Sequence, residues 1–280
     1  MTEKIFTAEI QNPMTLQKFL TEKKGVSKRL LTKLKRIPMG ITRNGSLIRS
    51  IDTVYNGDII ILKLNDEKFL EPNPKMKVPV AFENDDLIIF EKPAGMPVHP
   101  SIKHQGDTLG NFFASIYPNL TFRPINRLDC NTSGLCAVAK NSYGASHYQE
   151  KIKKTYYAVA EGITEESGTI NAPIAREKES IILRCVREDG QNAVTHYKRL
   201  LFNEKYSLLE INLETGRTHQ IRVHMAYIGH SLAGDDMYGG KTDIIKRQAL
   251  HCGIMKFEDK IIKSQLSSDI LNIFKEDFLI

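Results

Sequence analysis

Long apolar stretches are missing from this 280-residue sequence. No run approaches the roughly 20 apolar residues of a membrane-spanning helix, and the polar start MTEKIFTAEIQN lacks the apolar segment of a signal peptide. Internal repeats and low-complexity tracts are missing as well. We therefore expect a soluble globular protein, located in the cytoplasm and without a membrane partner.

Paired cysteines are missing too. The sequence contains four cysteines, which are Cys130, Cys136, Cys185 and Cys252. None of them has C-x-x-C spacing, so the sequence predicts neither a zinc knuckle nor a disulfide framework. We expect these cysteines to be reduced thiols.

Basic residues are concentrated at the start of the chain. Residues 1–75 contain 14 Lys and Arg against 8 Asp and Glu, whereas the rest of the chain contains 25 of each kind. The formal net charge of +6 therefore lies in the first quarter of the sequence. Such an excess within one compact segment favours a polyanion, and nucleic acid above all, as the partner.

Two short helices and a small sheet are predicted for this basic segment. Thr15 and Ser27 are candidate helix caps, and Gly25 ends the first helix. Asn44-Gly45 predicts a two-residue hairpin, and Asn56-Gly57-Asp58 precedes a predicted strand over 59–64. The outward face of the second helix is basic and consists of Lys28, Arg29, Lys33, Lys35 and Arg36.

A polar stretch with two prolines, KFLEPNPKMKV (68–78), is typical of a linker. We predict a small basic module over 1–67, a linker over 68–79 and a second domain over 80–280. Strands with few crossover helices dominate the second domain, which indicates an α+β fold with a mixed, mainly antiparallel sheet. Its predicted elements include helices over 142–152, 218–228 and 264–280 and strands over 155–160, 194–202 and 207–213.

The most informative stretch is RPINRLDCNTSGLCAVAKN (123–141). Asp129 precedes the turn-forming residues 131–134, and the apolar run over 135–139 is typical of a buried strand. Asp129 therefore lies on a loop at the end of a strand. An aspartate before Thr-Ser-Gly commonly caps a turn, so this pattern alone favours a structural role.

Four motifs in the same order resemble the RluA-type pseudouridine synthases. They are RLD-x-x-TSGL around Asp129, LIIFEKPAGMPVHP (87–100), KTYYAVAEG (154–162) and LETGRTHQIRVHMAYIGHSLAGDDMYG (213–239). The resemblance implies an RNA pseudouridine synthase in which Asp129 is the catalytic residue and motif 87–100 lies beside the cleft. The family usually has His where this chain has Asn126, a departure that concerns that position and not Asp129.

Arg222 is the predicted partner of Asp129. It projects from the first turns of the helix predicted over 218–228, on a face that it shares with His219. A partly buried guanidinium needs a carboxylate, and a carboxylate in a cleft needs a cation to stay ionised at neutral pH. In the family, the basic residue at this position pairs with the catalytic aspartate.

The resemblance also assigns roles in RNA binding. Tyr156 lies against the target base, and Arg127 enters the RNA in place of the flipped base. The N-terminal segment resembles the small RNA-binding module named after a ribosomal small-subunit protein. Asn126, Arg217 and His219 complete the expected RNA contacts. The structural alternatives are a surface ion pair for Arg127, a core position for Tyr156 and a packing appendage for the basic segment.

Three functions are compatible with these residues. The first is a pseudouridine synthase that acts on structured RNA, with ribosomal RNA favoured over transfer RNA, and needs no cofactor or obligate protein partner. The second is an RNA-binding protein of the same fold without activity, which the departure at Asn126 keeps open.

The third function is a zinc hydrolase. His219 and His224 belong to one predicted helix, and further candidate ligands follow them, namely His230, Asp235, Asp236 and His251. However, two residues five positions apart point about 140° away from each other on a helix. An H-E-x-x-H motif is also missing, so we expect no metal.

Overall fold

The computed structural model describes residues 2–64, 70–178 and 182–274. The chain forms two compact units. Unit 1 consists of Met1–Ile89, His99–Arg127 and Ala137–Ile152, and unit 2 consists of Phe90–Val98, Leu128–Cys136 and Lys153–Ile280. The boundary predicted between 67 and 68 lies outside the described residues, and the division into module, linker and domain stays a prediction.

Unit 1 begins with the two helices and the small sheet expected from the sequence. The elements are β1 (Thr2–Thr7), β2 (Met14–Thr15), α1 (Leu16–Lys18) with a π-helical turn (Phe19–Lys23), α2 (Lys28–Leu34), β3 (Ile41–Arg43), β4 (Ser46–Leu47), β5 (Thr53–Val54) and β6 (Ile59–Leu64). The sheet order is β1-β6-β3-β4, and β2 pairs with β5. All of these pairs are antiparallel.

The predicted caps and turns explain these elements. Thr15 Oγ1 accepts a hydrogen bond from the Lys18 N–H at 3.3 Å, and Ser27 Oγ accepts one from the Leu30 N–H at 3.2 Å. Asn44 and Gly45 have φ of 50° and 83°, as a two-residue hairpin turn requires. The inner face of α2 is buried, and the five basic residues predicted for its outer face are all exposed, although Lys35 and Arg36 lie beyond its last residue, Leu34. The predictions for these caps, turns and faces are confirmed.

The remaining elements up to residue 152 are partly shared between the units. They are β7 (Val80–Glu83), β8 (Leu87–Lys92), α3 (Leu109–Ile116), β9 (Arg123–Pro124), β10 (Ser133–Ala139) and α4 (Ser142–Tyr148). Helix α4 is shorter than the predicted 142–152, because the Tyr148 carbonyl accepts the N–H groups of both Lys151 and Ile152 in a closing turn.

Unit 2 is built on a mixed sheet. Its elements are β11 (Lys153–Glu161), β12 (Ser167–Asn171), β13 (Ile174–Arg176), β14 (Arg184–Val186), β15 (Val194–Phe202), β16 (Tyr206–Leu213), α5 (Gln220–Tyr227), a 3-10 turn (Asp236–Tyr238), β17 (Leu250–Phe257), β18 (Lys260–Lys263) and α6 (Ser268–Leu271). The order is β12-β15-β16-β11-β17-β10, with β18 beside β17. The β10–β17 pair is parallel and the other pairs of this series are antiparallel, which confirms the predicted α+β class.

Two predicted helices in unit 2 differ from the structure. Helix α5 begins at Gln220 instead of Thr218, and His219 precedes it in the left-handed region with φ of 57°. The Gln220 side chain, which accepts from the Arg217 N–H at 2.9 Å, closes the turn that Thr218 was expected to cap. Of the C-terminal helix predicted over 264–280, the structure contains α6 and a 3-10 turn over 272–274, and 275–280 lie outside the described residues.

Within the described ranges, we find no helix with the length and apolar character needed to cross a bilayer.

Candidate active site

Asp129 lies in the turn that leads into β10, as the sequence predicts. The Thr132 N–H donates to the Asp129 carbonyl at 3.1 Å and closes this turn. The Asp129 side chain is 28% exposed, whereas the strand that follows is buried. A ligand can therefore reach the carboxylate from solvent.

A close approach of two strands holds this turn. Gly134, at the start of β10, has φ of 102°, and a Cβ atom there would lie 2.3 Å from the Cys252 carbonyl oxygen of β17. Glycine alone among the residues avoids that clash without strain. The parallel β10–β17 contact therefore fixes the strand that carries the Asp129 turn.

Arg222 connects Asp129 to a second aspartate. Its NH1 group donates to Asp129 Oδ2 at 3.0 Å. Its Nε and NH2 groups donate to the two carboxylate oxygens of Asp235, both at 2.7 Å. The predicted contact of Asp129 with Arg222 is therefore present, and Asp235 adds a bidentate partner that the sequence interpretation did not assign.

The two carboxylates keep Arg222 charged. Burial opposes the charged form, but the hydrogen bonds and charges of Asp235 and Asp129 outweigh it and raise the pKa of Arg222 above its ordinary value. Asp235 is almost fully buried, and burial strengthens an ion pair between groups that have no access to water. Arg222 thus presents one fixed N–H group to Asp129.

His219 and Tyr238 complete the cluster. His219 Nε2 lies 3.7 Å from Asp129 Oδ2, and its Nδ1 is 2.7 Å from the Tyr238 hydroxyl. The Tyr238 ring lies 4.9 Å from the Arg222 guanidinium carbon, in cation–π contact. Burial, assisted by the charge of Arg222 and against the attraction of Asp129, lowers the pKa of His219. His219 is therefore neutral at neutral pH.

Tyr156 forms part of the buried sheet. It lies on β11 opposite Cys252 of β17 and is 7% exposed. Burial and the nearby Cys252 and Cys136 thiols raise its pKa well above the ordinary value, so its hydroxyl stays protonated. Tyr157, the next residue, is half-buried, so the two rings differ in exposure as their alternation along a strand predicts.

Lys92 is a buried cation that the sequence interpretation did not single out. It is 1% exposed, and its Nζ donates to the carbonyl oxygens of Pro93, Met96 and Cys130 at 2.8, 2.7 and 3.0 Å. Burial lowers its pKa to about 8. Because Cys130 follows Asp129, Lys92 fastens the 92–96 turn to the loop that carries Asp129.

Arg247 holds the other side of the same loop. Its NH1 donates to the Asn131 carbonyl at 3.1 Å. Its Nε and NH2 donate to the Asp269 carboxylate at 2.7 and 2.9 Å. One buried side chain therefore connects the residues after Asp129 with α6 near the C-terminal end.

The residues predicted to bind RNA have different surroundings. Arg217 is exposed, and its Nε donates to the Asn192 carbonyl at 3.0 Å in unit 2. Arg127 is exposed in unit 1. Asn126 is buried in unit 1, where its Oδ1 accepts from the Ala137 N–H at 2.8 Å. The Asn126 side chain therefore binds the backbone of β10. Because it is buried, its exposure does not support the predicted contact with RNA.

The histidines that suggested a zinc site have protein partners. His224 is buried, and its two ring nitrogens lie 2.9 Å from Thr195 Oγ1 and from the Ala172 carbonyl. Asp235 is occupied by Arg222. In the part of the chain that the structure describes, no group of three His, Cys, Asp or Glu side chains is arranged to hold a metal ion.

Sequence comparisons give a consistent result. Residues 86–227 match the RNA pseudouridylate synthase family. The chain is 36% identical over 256 residues to the uncharacterized RNA pseudouridine synthase YjbO of Bacillus subtilis, covering 87% of this chain and 90% of that protein. It is 34% identical over 243 residues to the ribosomal large subunit pseudouridine synthase D of Haemophilus ducreyi, covering 78% and 75%.

A solved structure has the same fold. Human RNA pseudouridylate synthase domain containing 1 superposes with a TM-score of 0.58 at 24% sequence identity. The match covers 74% of this chain and 90% of the human one.

Proposed function

Because the chain belongs to the RNA pseudouridylate synthase family and is an RNA pseudouridine synthase of the RluA/RluD type, we propose that it modifies specific uridines in structured RNA with Asp129 as the catalytic carboxylate. Ribosomal RNA is the favoured substrate over transfer RNA. Several relatives carry the name ribosomal large subunit pseudouridine synthase D, and this supports the preference.

The reaction requires few chemical groups. The bond from C1′ of the ribose to N1 of uracil breaks, the base turns, and C1′ bonds to C5, while the C5 proton is released and N1 gains a proton. Neither water nor a cofactor enters the net reaction. One ionised carboxylate can form a transient bond to C1′, or take a proton from the sugar and return it. Two-carboxylate glycoside hydrolysis would instead need a second acid beside the ribose.

The observation that carries the proposal is the placement of the Asp129 carboxylate. It is accessible to solvent, accepts one hydrogen bond from Arg222 and has neutral His219 nearby. The second acid of the cluster, Asp235, is buried and engaged by Arg222, so it is a poor candidate for contact with a ribose. Asp129 is therefore the carboxylate available for chemistry.

Arg222 and Tyr156 have supporting roles in this proposal. Arg222 stabilises the negative charge of Asp129 when the carboxylate is released from an adduct or gives up a proton. Tyr156 is the aromatic residue proposed to lie against the uracil, and because it is 7% exposed, full stacking requires its ring to become more accessible when RNA binds. Excluding water matters because hydrolysis of the glycosidic bond would leave an abasic site.

The RNA-binding roles extend this proposal beyond the reacting base. Extruding a stacked nucleotide costs a few kcal/mol, and Arg127, which is exposed, supplies the group that fills the vacancy. Arg217 and His219 contact the RNA near the site. The exposed basic residues of α2 and of the two positions after it bind the phosphate backbone; they are Lys28, Arg29, Lys33, Lys35 and Arg36.

The test is the substitution Asp129→Asn, with Asp259→Asn as a matched control at an exposed turn. Pseudouridine is mapped in transcripts of large-subunit ribosomal RNA and transfer RNA after incubation with each protein. We expect Asp129→Asn to bind RNA as the unchanged protein does but to form no pseudouridine, while Asp259→Asn keeps full activity. Turnover by Asp129→Asn contradicts the catalytic assignment. RNA binding without turnover by the unchanged protein supports the inactive alternative.

A further inference from the structure

The two ring nitrogens of His219 have different neighbours. Nδ1 lies 2.7 Å from the Tyr238 hydroxyl, and Nε2 lies 3.7 Å from Asp129 Oδ2. The first distance is that of a hydrogen bond, whereas the second is too long for one. The nitrogen that carries the proton of the neutral ring therefore decides whether the site offers a substrate a donor or an acceptor.

The hydrogen bonds of the Tyr238 hydroxyl indicate which nitrogen is protonated. Its oxygen accepts a hydrogen bond from the Arg184 backbone N–H at 3.1 Å. The hydroxyl proton also needs a partner, and His219 Nδ1 is the acceptor that the described residues place beside it. Tyr238 therefore donates to Nδ1, and the proton of the neutral imidazole lies on Nε2.

The charge of Asp129 favours the same tautomer. A nitrogen lone pair facing a carboxylate oxygen is repelled, whereas an N–H group facing it is attracted. Arg222 NH1 already donates to Oδ2 at 3.0 Å, and Nε2 stays at 3.7 Å from that oxygen. The Nε2–H group is therefore held beside the carboxylate without being consumed by a hydrogen bond to it.

The surrounding structure fixes the position of the ring. His219 has φ of 57° and ψ of 17°, in the left-handed region where histidine and asparagine are more common than most residues. Its carbonyl accepts the Val223 N–H at 2.9 Å in the first turn of α5. The side chain is only 10% exposed, and the Tyr238 ring packs against it edge-on, with 5.7 Å between the ring centres. The donor is thus in place before a substrate binds.

The location of this donor selects one group of the substrate. For either of the reactions open to a single carboxylate, an oxygen of Asp129 must lie against C1′ or against the hydrogen on C2′. The 2′-hydroxyl is bonded to C2′, so it lies next to Asp129 in both cases. An N–H whose nitrogen is 3.7 Å from the same carboxylate can reach the oxygen of that hydroxyl.

We propose that His219 is a specificity-determining residue that donates its Nε2–H to the 2′-hydroxyl of the target nucleotide, and that Tyr238 is the positioning residue that maintains this tautomer. The inference rests on the proposed function, because it takes Asp129 to act at the ribose of a uridine. It goes beyond that function by naming the group through which the site distinguishes RNA from DNA.

The test uses two variants of the full-length protein, His219→Asn and His219→Gln. Asparagine accepts a left-handed backbone, but its amide corresponds to the Nδ1 position and does not reach that of Nε2. The longer glutamine places an amide N–H at the Nε2 position, so it serves as the rescue variant. The uridine that the unchanged protein converts is first mapped, and RNA fragments are then synthesised with uridine or 2′-deoxyuridine at that position.

Single-turnover rates on the two fragments give one ratio for each protein. Loss of the 2′-oxygen changes the intrinsic reactivity of the glycosidic bond equally for all proteins, so only differences between these ratios report on His219. We expect the uridine to 2′-deoxyuridine ratio to be about tenfold smaller in His219→Asn than in the unchanged protein, as loss of one hydrogen bond predicts. We expect His219→Gln to recover most of it. Equal ratios in His219→Asn and the unchanged protein overturn the proposal.

NMR of protein with nitrogen-labelled histidine tests the tautomer without turnover. The His219 signals are assigned by their absence from the spectrum of His219→Asn. We expect a protonated Nε2 at neutral pH in the unchanged protein and a mixture of tautomers in Tyr238→Phe. Tyr227→Phe, at a tyrosine that is 61% exposed, is the control and should keep the protonated Nε2. A proton on Nδ1 in the unchanged protein overturns the proposal.

Failure of the proposed function gives a different result. If the unchanged protein forms no pseudouridine in ribosomal or transfer RNA transcripts, the proposed function fails. Affinities for a large-subunit ribosomal RNA transcript made throughout with uridine or with 2′-deoxyuridine then replace the rates. The same tenfold change in the ratio between the unchanged protein and His219→Asn supports the contact of His219 with the 2′-hydroxyl, and equal ratios overturn it.

Discussion

Asp235 holds Arg222 through both carboxylate oxygens, each 2.7 Å from a guanidinium nitrogen. Planar, bidentate pairing fixes the orientation of an arginine, not only its charge. The remaining terminal nitrogen of Arg222 is thereby directed at Asp129, 3.0 Å away. Asp235 thus acts as a positioning residue, because it shapes the site through Arg222 without reaching the Asp129 carboxylate itself.

The substitution Asp235→Asn tests this relationship. An amide cannot accept both hydrogen bonds, and the buried Arg222 loses its counter-charge, so we expect the free energy of unfolding to fall by about 3 kcal/mol. Small misplacements of a catalytic group reduce rates by about 100-fold, and we expect a loss of this order in single-turnover pseudouridine formation at saturating enzyme. Affinity for RNA should change little.

The control for Asp235→Asn is Asp236→Asn, which makes the same change at the exposed neighbouring residue. We expect it to keep both stability and rate. A single-turnover rate in Asp235→Asn equal to that of the control would show that Arg222 does not need this partner.

The hydrogen bonds of Arg247 predict an energetic coupling between α6 and the loop that carries Asp129. Arg247→Gln removes the hydrogen bonds to Asn131 and Asp269, and the buried carbonyl acceptors left without a donor should lower stability by about 1–3 kcal/mol. Asp269 is 44% exposed, so solvent screens its share of the pair. Chemical denaturation of Arg247→Gln, Asp269→Asn and the double variant should give a coupling energy of about 1 kcal/mol. Strictly additive effects would mean that the pair is not an energetic link.

The lowered pKa of His251 predicts that the protein loses stability in acid. Burial and the charge of Arg247 lower its pKa to about 4, from an ordinary value of 6.5. As pH falls from 6.5 towards 4, the unfolded chain takes up this proton before the folded one does, so the folded state loses stability. The full shift corresponds to about 3 kcal/mol. Above pH 6.5 the contribution is fully present.

The variant His251→Gln isolates this effect. We expect its denaturation midpoint to fall less between pH 6.5 and pH 4 than that of the unchanged protein. His104→Gln, at a partly exposed loop position, serves as the comparison and should retain the full decrease. Equal decreases in all three proteins would exclude His251 as the source.

We expect the exposed basic residues on α2 and just after it to account for part of the salt dependence of RNA binding. The five cations on α2 and just after it are exposed, whereas Leu30, Leu31 and Leu34 are buried, so replacing the cations with Gln should leave the fold intact. Each interaction with a phosphate that the substitution removes should reduce the salt slope by about 0.9. Filter binding with the ribosomal RNA transcript measures this change, and an unchanged slope would leave the N-terminal segment as a packing element.

The sequence was sufficient to predict the structure of residues whose role follows from a local pattern or a motif. Thr15, Ser27 and Asn44-Gly45 have the predicted structures, because caps and hairpin turns depend on neighbouring residues. The contact of Asp129 with Arg222 could be predicted because both residue chemistry and the family resemblance indicated it.

Other residues depend on contacts between distant parts of the chain. Asp235 was a candidate metal ligand in the sequence, and its pairing with Arg222 becomes evident only after α5 and the following turn come together. Lys92 looked like part of an ordinary turn, since burial of a lysine is rare and depends on carbonyls from two segments. Helix α5 starts late because the Gln220 side chain satisfies the turn, a role that helix-cap statistics assign to Thr218.

The grouping of Asp129, Arg222 and Asp235 has an electrostatic consequence for how RNA enters. Two carboxylates surround one guanidinium, so the centre of this cluster repels the negatively charged sugar–phosphate chain of an RNA. This charge arrangement favours an incoming nucleotide whose uncharged ribose and uracil face the cluster while its phosphates stay farther away.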